Sequence, residues 1–169
     1  MIDVAVLASE DWPETPDWEE LAQRAVTAAI RQTPHAPLIA LSATIEVAVK
    51  LTDNAEVQTL NAAYRQKDKP TNVLSFPMVQ PDLIGSLANT DDGEVLLGDI
   101  VLAKGVCEAE AAEKGVAIDI HATHLIVHGA LHLLGYDHLD DAEAEAMEAI
   151  ERIALASLGI ADPYSVDEA

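Results

Sequence analysis

Apolar and polar residues alternate along this chain in patterns that predict four strands. The first runs from Ile2 to Leu7, and a second lies within Leu38 to Leu51, where β-branched residues alternate with polar or small ones. The segment Thr71–Pro77 contains a short strand, which the proline ends because it cannot donate a hydrogen bond to a ladder. Residues Val95 to Leu102 are apolar and rich in β-formers, so they predict a buried fourth strand.

Capping residues and apolar periodicity predict five helices. Asp17 can accept hydrogen bonds from the free amides of a helix that reaches about Gln32, with Glu20 placed three residues later to complete the capping pattern. Two further helices are predicted, one capped by Thr52 or Asp53 that reaches Tyr64 and one of about a dozen residues that ends near Gly115. A histidine-bearing helix from about Ile118 to Leu134 and a final helix from about Asp140 to Leu158 follow. Outside the helices, the sequence predicts an acidic surface loop from Gln80 to Gly93 and an irregular tail from about residue 160.

Strands and helices interleave without repeats or low-complexity linkers. This order predicts one α/β or α+β domain over residues 1–169, with a mixed sheet of about four strands flanked by about five helices. The order of the strands in that sheet is left open.

Composition and charge exclude several classes of protein. No apolar stretch approaches the roughly eighteen residues that a membrane span requires, and the N-terminus lacks the basic leader of an export signal, so a cytoplasmic protein without membrane contact is expected. The lone Cys107 excludes an internal disulfide and a CxxC zinc site. A net charge of −21 argues against binding to polyanions, yet Arg65, Lys67 and Lys69 leave one basic spot within five residues.

Histidines carry the candidate chemistry, because five of the six lie between residues 121 and 138. His128 and His132 are spaced i, i+4, which places both on one face of the predicted helix. Gly135 is suited to end that helix, and the turn can bring His138 back towards the pair. Three imidazoles would leave one position of a tetrahedral zinc ion open, which is typical of hydrolytic rather than structural sites.

Other interpretations of the histidines stay open. One is an accidental clustering, and another is a structural zinc with Asp137 as a fourth ligand, although the neighbour of His138 is poorly placed for this. A zinc peptidase of the H-E-x-x-H kind would need a glutamate where Gly129 stands. His121 and His124 can either support the pair from behind or face solvent.

The run HGALHLLGYDH resembles the signature of the YbeY family of bacterial endoribonucleases. The segments LNAAYRQKDKPTNVLSFP from Leu60 to Pro77, LGDI at residues 97–100, DDAEAEAMEAIE and LGIADPY resemble further family blocks in the expected order, so the likeness spans about Ile45 to Tyr164. It implies a small α/β sheet flanked by helices. It also implies a bacterial cytoplasmic enzyme that cuts single-stranded RNA, matures the 3′ end of 16S ribosomal RNA and assists ribosome quality control, with the small ribosomal subunit and ribosomal proteins as partners.

The resemblance also implies roles for particular residues. His128, His132 and His138 would bind one Zn²⁺, although three imidazoles also suit other divalent transition metals. Arg65 would contact phosphate, a role that fits the planar fork of a guanidinium, or else it is a surface arginine at a helix C-terminus.

Four further residues are candidates for supporting roles. Ser75 or Tyr136 can steady substrate through a hydroxyl, Asp99 can orient an imidazole, and His124 can lie behind the metal ligands. Purely structural roles fit the first three equally well, and Gly98 with Asp99 also marks a bulge or a position that faces a site. The acidic residues of the last helix, Glu151 among them, are most simply a solvated face, with a docking surface for ribosomal proteins as a second interpretation.

The leading hypothesis is hydrolysis of an RNA phosphodiester at the metal, with Arg65 offsetting charge that develops on the phosphoryl group. A zinc metallopeptidase is one alternative, and it needs a base from outside the histidine helix. A ribosome assembly factor that uses zinc only to hold its fold is another.

Overall fold

A computed structural model describes residues 1–89 and 92–164 of the chain. Its strands are β1 (Ile2–Ala8), β2 (Thr44–Thr52), β3 (Val73–Pro77) and β4 (Glu94–Ala103). Its α-helices are α1 (Trp18–Arg31), α2 (Asn54–Arg65), α3 (Pro81–Ile84), α4 (Lys104–Lys114), α5 (Ile118–Leu133) and α6 (Asp141–Ser157), with short 3₁₀ helices at Ala36–Ala40 and Gly85–Asn89.

The four strands form one mixed sheet in the order β1-β2-β4-β3. β1, β2 and β4 are mutually parallel, and β3 pairs with β4 in the antiparallel sense, with Ser75 opposite Ile100. The register of β2 against β4 shifts between Glu46 and Val47, where β4 carries one extra residue before Gly98. This irregularity confirms the bulge that the sequence predicts at this point.

Helices cover the two faces of the sheet unequally. α1 and α5 pack on one face, and α6 packs against both of them, while α2 lies over β3 and β4 on the other face. Most of the fully buried apolar side chains lie between the sheet and α1, α5 and α6. A smaller cluster, containing Val57, Leu74, Val101 and Ala103, lies under α2. The histidine-bearing helix is therefore the centre of the main core.

Most predicted elements are confirmed. Asp17, Asp53 and Asp140 cap α1, α2 and α6, each accepting a hydrogen bond from the amide three residues later. The strand predicted within Leu38 to Leu51 begins only at Thr44, since its first residues belong to the 3₁₀ helix.

The loop and the tail differ in how far they match the prediction. The loop predicted over Gln80 to Gly93 is wrong for its first part, where Pro81 starts the short helix α3 with its fixed φ and the buried Ile84 anchors it. The predicted tail lacks regular structure from Ile160 to Tyr164, and its last five residues lie outside the described part of the chain.

None of the helices in the described ranges combines the length and apolar character that crossing a bilayer would require.

Candidate metal centre

Helix α5 carries the histidines through the middle of the protein. It is buried along most of its length because apolar residues cover nearly its whole circumference. Gly129 lies on the side that meets the sheet, where a Cβ atom would stand 2.8 Å from Ile100 Cγ2 and 3.1 Å from Ser75 Oγ. A glycine here lets the helix approach β3 and β4 closely, which sets the position of His128 beside it.

The turn after α5 brings the third histidine back. Gly135 has a φ of +98°, a conformation that glycine adopts without the steric cost of a side chain. The amide of Tyr136 donates to the carbonyl of Leu131 at 3.1 Å, which closes the turn. His138 then lies beside His128 and His132, with ring centroids 5.6 and 5.2 Å away.

The three histidines form a compact cluster. One ring nitrogen from each of His128, His132 and His138 can be chosen so that all three lie within 4.8 Å of one another. His128 and His132 are partly buried and His138 is exposed, so the cluster opens to solvent on one side. The cluster contains no carboxylate among the described residues, so Asp137 does not complete a closed four-ligand site.

Hydrogen bonds behind the rings fix their tautomers. His132 Nδ1 lies 2.8 Å from the carbonyl oxygen of Tyr136, and a carbonyl can only accept, so Nδ1 carries the proton. His128 Nδ1 lies 3.1 Å from Glu151 Oε1 and donates to that carboxylate. Each ring therefore presents the lone pair of Nε2 to the cluster.

Glu151 is the exception to the predicted solvated acidic face of the last helix, whose other acidic residues are exposed or half-buried. It is fully buried, and it accepts hydrogen bonds from His124 Nε2 at 3.0 Å, from His128 and from the hydroxyl of Tyr164 at 3.0 Å. Burial by itself would raise the pKa of Glu151, but the hydrogen bonds from His124 and His128 hold that pKa at about 2. Glu151 is therefore an ionised anchor behind His128.

The donor set fits a zinc-type ion. The Nε2 atoms of His128 and His132 lie 3.0 Å apart. Both atoms present lone pairs, so neither can donate a hydrogen bond to the other. Two nitrogens about 2.0–2.1 Å from a tetrahedral zinc ion stand about 3.3 Å apart, close to the spacing observed. Burial, and secondarily the proximity of the His128 ring, lower the pKa of His132 to about 4, which keeps the His132 ring neutral and able to bind metal.

A cavity of about 150 Å³ opens in front of the cluster, and we call it the histidine cavity. Its walls include the three histidines, Arg65 at the end of α2, and Ser75 on β3. The structure thus brings Arg65 and Ser75 to the predicted metal ligands, roughly sixty residues away along the chain. Ser75 Oγ donates to the carbonyl of Gly129 at 3.3 Å, so this hydroxyl ties β3 to α5.

The supporting role predicted for Asp99 needs correction. Asp99 lines a separate cavity on the face of the sheet opposite α5, and the carboxylate that orients an imidazole is Glu151. Tyr136 contributes its backbone carbonyl to His132, and the role of its hydroxyl towards substrate stays a prediction. His124 lies behind His128, because both rings contact Glu151, and its role in supporting the metal ligands stays a prediction.

His121 does not join the cluster. It is buried, and its Nε2 lies 2.8 Å from Glu110 of α4. The interpretation that His121 or His124 faces solvent is therefore wrong.

Sequence reasoning missed Glu151 as a site residue. Its only local signal is its position on α6, four residues after the buried Met147 and three before the buried Ala154, on the apolar face of an otherwise acidic helix. A carboxylate on the buried face of a helix calls for a partner, and here the partners come from α5.

Comparison with known proteins adds to this geometry. Residues 8–159 match the family model described as Endoribonuclease YbeY. A protein of that name from Rhizorhabdus wittichii is 67% identical over 168 residues, covering 99% of each chain. The one from Sphingopyxis alaskensis is 62% identical over 165 residues, covering 98% of each. The similarity therefore includes the N-terminal third, which the sequence motifs alone leave outside the resemblance.

The solution structure of TM1509 from Thermotoga maritima has a similar fold. Its TM-score is 0.53, with 21% sequence identity, and the match covers 94% of this chain and 92% of that one. At this level of identity the likeness supports the α+β architecture alone.

Proposed function

The chain belongs to the Endoribonuclease YbeY family, and from that premise we propose that it is a zinc-dependent endoribonuclease that cuts single-stranded RNA. One observation carries the proposal, namely that Arg65 and the three histidines line the same small cavity. A cationic fork beside a cluster of neutral imidazoles suits a substrate that bears a phosphate, because one group binds its anionic oxygens while the other holds a Lewis acid.

Each residue of the histidine cavity has a distinct part in this proposal. When bound to three imidazoles, zinc supplies Lewis acidity and lowers the pKa of a water molecule to about 7. Arg65 contacts the non-bridging oxygens of the scissile phosphate and offsets the charge that grows on them in the transition state. Glu151 and the carbonyl of Tyr136 hold the rings of His128 and His132 in the metal-binding tautomer.

We further propose that ribosomal RNA, including the 3′ end of 16S ribosomal RNA, is the substrate, and that the enzyme works in the cytoplasm in ribosome maturation and quality control. The family resemblance supports this proposal. The charge of the chain constrains how the protein can bind ribosomal RNA. A protein with a net charge of −21 gains little affinity from general attraction to RNA. Recruitment by a ribosomal protein would raise the local concentration of the RNA at the histidine cavity.

Two substitutions test the proposal. Arg65→Ala should reduce kcat for cleavage of a labelled single-stranded RNA by about 10²–10³-fold, because it removes the donor to the transition-state phosphate. His132→Ala should abolish zinc binding and cleavage, while circular dichroism shows a persisting fold. Arg31→Ala is the matched control, since Arg31 is exposed at the end of α1 and does not line the histidine cavity. Normal cleavage by a folded Arg65→Ala variant would remove the proposed role of Arg65.

The same variants separate the alternatives. If zinc only stabilises the fold of an assembly factor, His132→Ala should lower the melting temperature greatly and Arg65→Ala should change nothing. A zinc peptidase should cleave casein, and a chelator should stop it. Glu151 does not supply the base that a peptidase needs, because both of its oxygens are engaged behind His128.

A further inference from the structure

A second cavity, of about 370 Å³, adjoins the histidine cavity, and we call it the basic cavity. The two cavities share three lining residues, Arg65, Thr71 and Asn72. The basic cavity extends away from the histidines to Lys67 and Lys69. Arg65 thus stands at the boundary between them.

The charges around the basic cavity favour an anion. Arg65, Lys67 and Lys69 line it together with one carboxylate, Glu110, which leaves a positive balance in a protein of net charge −21. Glu110 is also engaged by Asn72 Nδ2 at 3.0 Å and by His121. Within the described ranges, Lys67 and Lys69 form no ion pair within 4.0 Å.

The segment that carries the two lysines is anchored to helix α2 by hydrogen bonds. Asn61 is buried in α2, and its carbonyl accepts from the amide of Lys67 at 3.2 Å while its Nδ2 donates to the carbonyl of Lys69 at 2.9 Å. The neighbouring Asp68 contacts Gln58 Nε2 at 3.0 Å and does not line the basic cavity. Both lysines are exposed, and their backbone is fixed before any ligand arrives.

Size separates the roles of the two cavities. About 150 Å³ is smaller than the roughly 300–1,000 Å³ of typical ligand pockets, so the histidine cavity suits a phosphoryl group. About 370 Å³ falls within that range, and so the basic cavity suits a larger unit. Successive phosphates of one RNA strand are joined by one nucleoside. Because the two cavities adjoin at Arg65, Thr71 and Asn72, one strand can occupy both of them.

We infer that the basic cavity binds the nucleotide next to the scissile phosphate, with Lys67 and Lys69 contacting its flanking phosphate. The inference rests on the proposed RNA cleavage and adds to it a subsite on one side of the cut. A charged contact at this subsite favours a substrate that continues past the cleavage site on that side. The enzyme therefore discriminates between a strand whose end lies at the cleavage site and a strand that extends beyond it.

The test uses short single-stranded RNAs in which one linkage at a time is an uncharged methylphosphonate. With the zinc-loaded wild-type protein, neutralising the flanking linkage on one side of the cut should lower kcat/KM by about 10-fold, the effect of one charge-assisted hydrogen bond. In the double variant Lys67→Ala/Lys69→Ala, the same neutralisation should cost less than about twofold, because its partner is already gone. The double variant Arg24→Ala/Arg31→Ala on α1 removes equal charge and should keep the full penalty of about 10-fold.

A binding measurement keeps this inference separate from the proposed function. Fluorescence anisotropy of a labelled 2′-O-methyl strand gives the slope of log Kd against log salt. In the lysine variant this slope should be smaller by about 0.7 for each phosphate that the protein no longer neutralises. If the wild type cleaves no RNA, the proposed function fails and the salt slopes still decide on the subsite. An equal methylphosphonate penalty in the wild type and the lysine variant, or equal salt slopes, would overturn the inference.

Discussion

Replacing Glu151 with glutamine would test whether the buried carboxylate tunes the metal site. Glu151 Oε1 accepts from His124 and His128, and Oε2 accepts from the hydroxyl of Tyr164. A glutamine amide can keep its oxygen towards the two imidazoles and turn its NH₂ group to Tyr164, whose hydroxyl oxygen can accept. The substitution therefore removes the charge behind His128 while it keeps the shape and the acceptor of the two imidazoles, and it reverses the direction of the hydrogen bond with Tyr164.

Two magnitudes follow from this geometry. Loss of a carboxylate behind a metal-binding histidine typically costs about 10–100-fold in metal affinity, or about 1.4–2.7 kcal/mol. The free energy of unfolding should fall by only about 1 kcal/mol, because His124 and His128 keep their acceptor and only the hydrogen bond with Tyr164 changes direction. Glu151→Ala should cost about 3 kcal/mol or more, since it leaves the buried His124 and the partly buried His128 and Tyr164 without the carboxylate that accepts from them.

The assay is a competition titration against a chromophoric zinc chelator, with urea unfolding of the same preparations. Glu145→Gln is the matched control, because Glu145 lies on α6 and is exposed. We expect the zinc affinity of the control to equal that of the wild type. If Glu151→Gln binds zinc as tightly as Glu145→Gln, the carboxylate does not tune His128, and Glu151 is only a structural anchor.

Three further substitutions probe the frame of the site. Gly98→Ala should lower the free energy of unfolding by about 1–3 kcal/mol in urea titrations, because the new Cβ would lie 2.5 Å from the Phe76 carbonyl oxygen; no loss would show that the strands yield there. Gly135→Ala should weaken zinc binding, measured by chelator competition, because its φ of +98° and a Cβ 2.8 Å from Pro81 both disfavour the turn to His138; wild-type affinity would refute this. Hydrogen bonds from Lys50 and then Thr52 lower the pKa of Glu56 from 4.5, so its ionised form stabilises the fold above about pH 4.5 and this contribution is lost as the pH falls through the lowered value. Glu56→Gln should thus be less stable than wild type at pH 7, and the difference in the free energy of unfolding should close as the pH falls through the lowered pKa of Glu56; a difference that persists in acid would contradict the assignment.

The positive residues near the site matter more because the rest of the chain is acidic. Nine basic residues stand against 30 acidic ones, and three of the nine line the basic cavity. Long-range repulsion of RNA is thereby combined with local attraction at one place. Such a distribution favours a substrate that a partner delivers over one that is captured freely from solution.

Much of the metal cluster follows from local sequence. The i, i+4 spacing of His128 and His132 puts both rings on one helical face, and a glycine at position 135 permits the reversal that returns His138. These relations span eleven residues, so they depend on helix geometry and turn chemistry alone. The capping residues of α1, α2 and α6 are equally local, and for that reason they were predictable.

The other parts of the site depend on packing between distant segments. Glu151 looks like its acidic neighbours in the sequence, and only the packing of α6 on α5 makes it the partner of His124 and His128. Asp99 looks like a site residue because it lies beside the bulge, yet the pleat of β4 turns it to the opposite face of the sheet. One residue of register decides between the two faces.

The sequence by itself therefore determines most of the elements, the three histidines and the basic spot at Arg65, Lys67 and Lys69, because each depends on spacing within one helix, strand or loop. Only the tertiary structure decides that this spot lies beside the histidines, since Arg65 at the end of α2 and His128 and His132 of α5 line one cavity. Contacts between residues far apart in the chain follow from strand order and helix packing, and residue spacing contains no information about either.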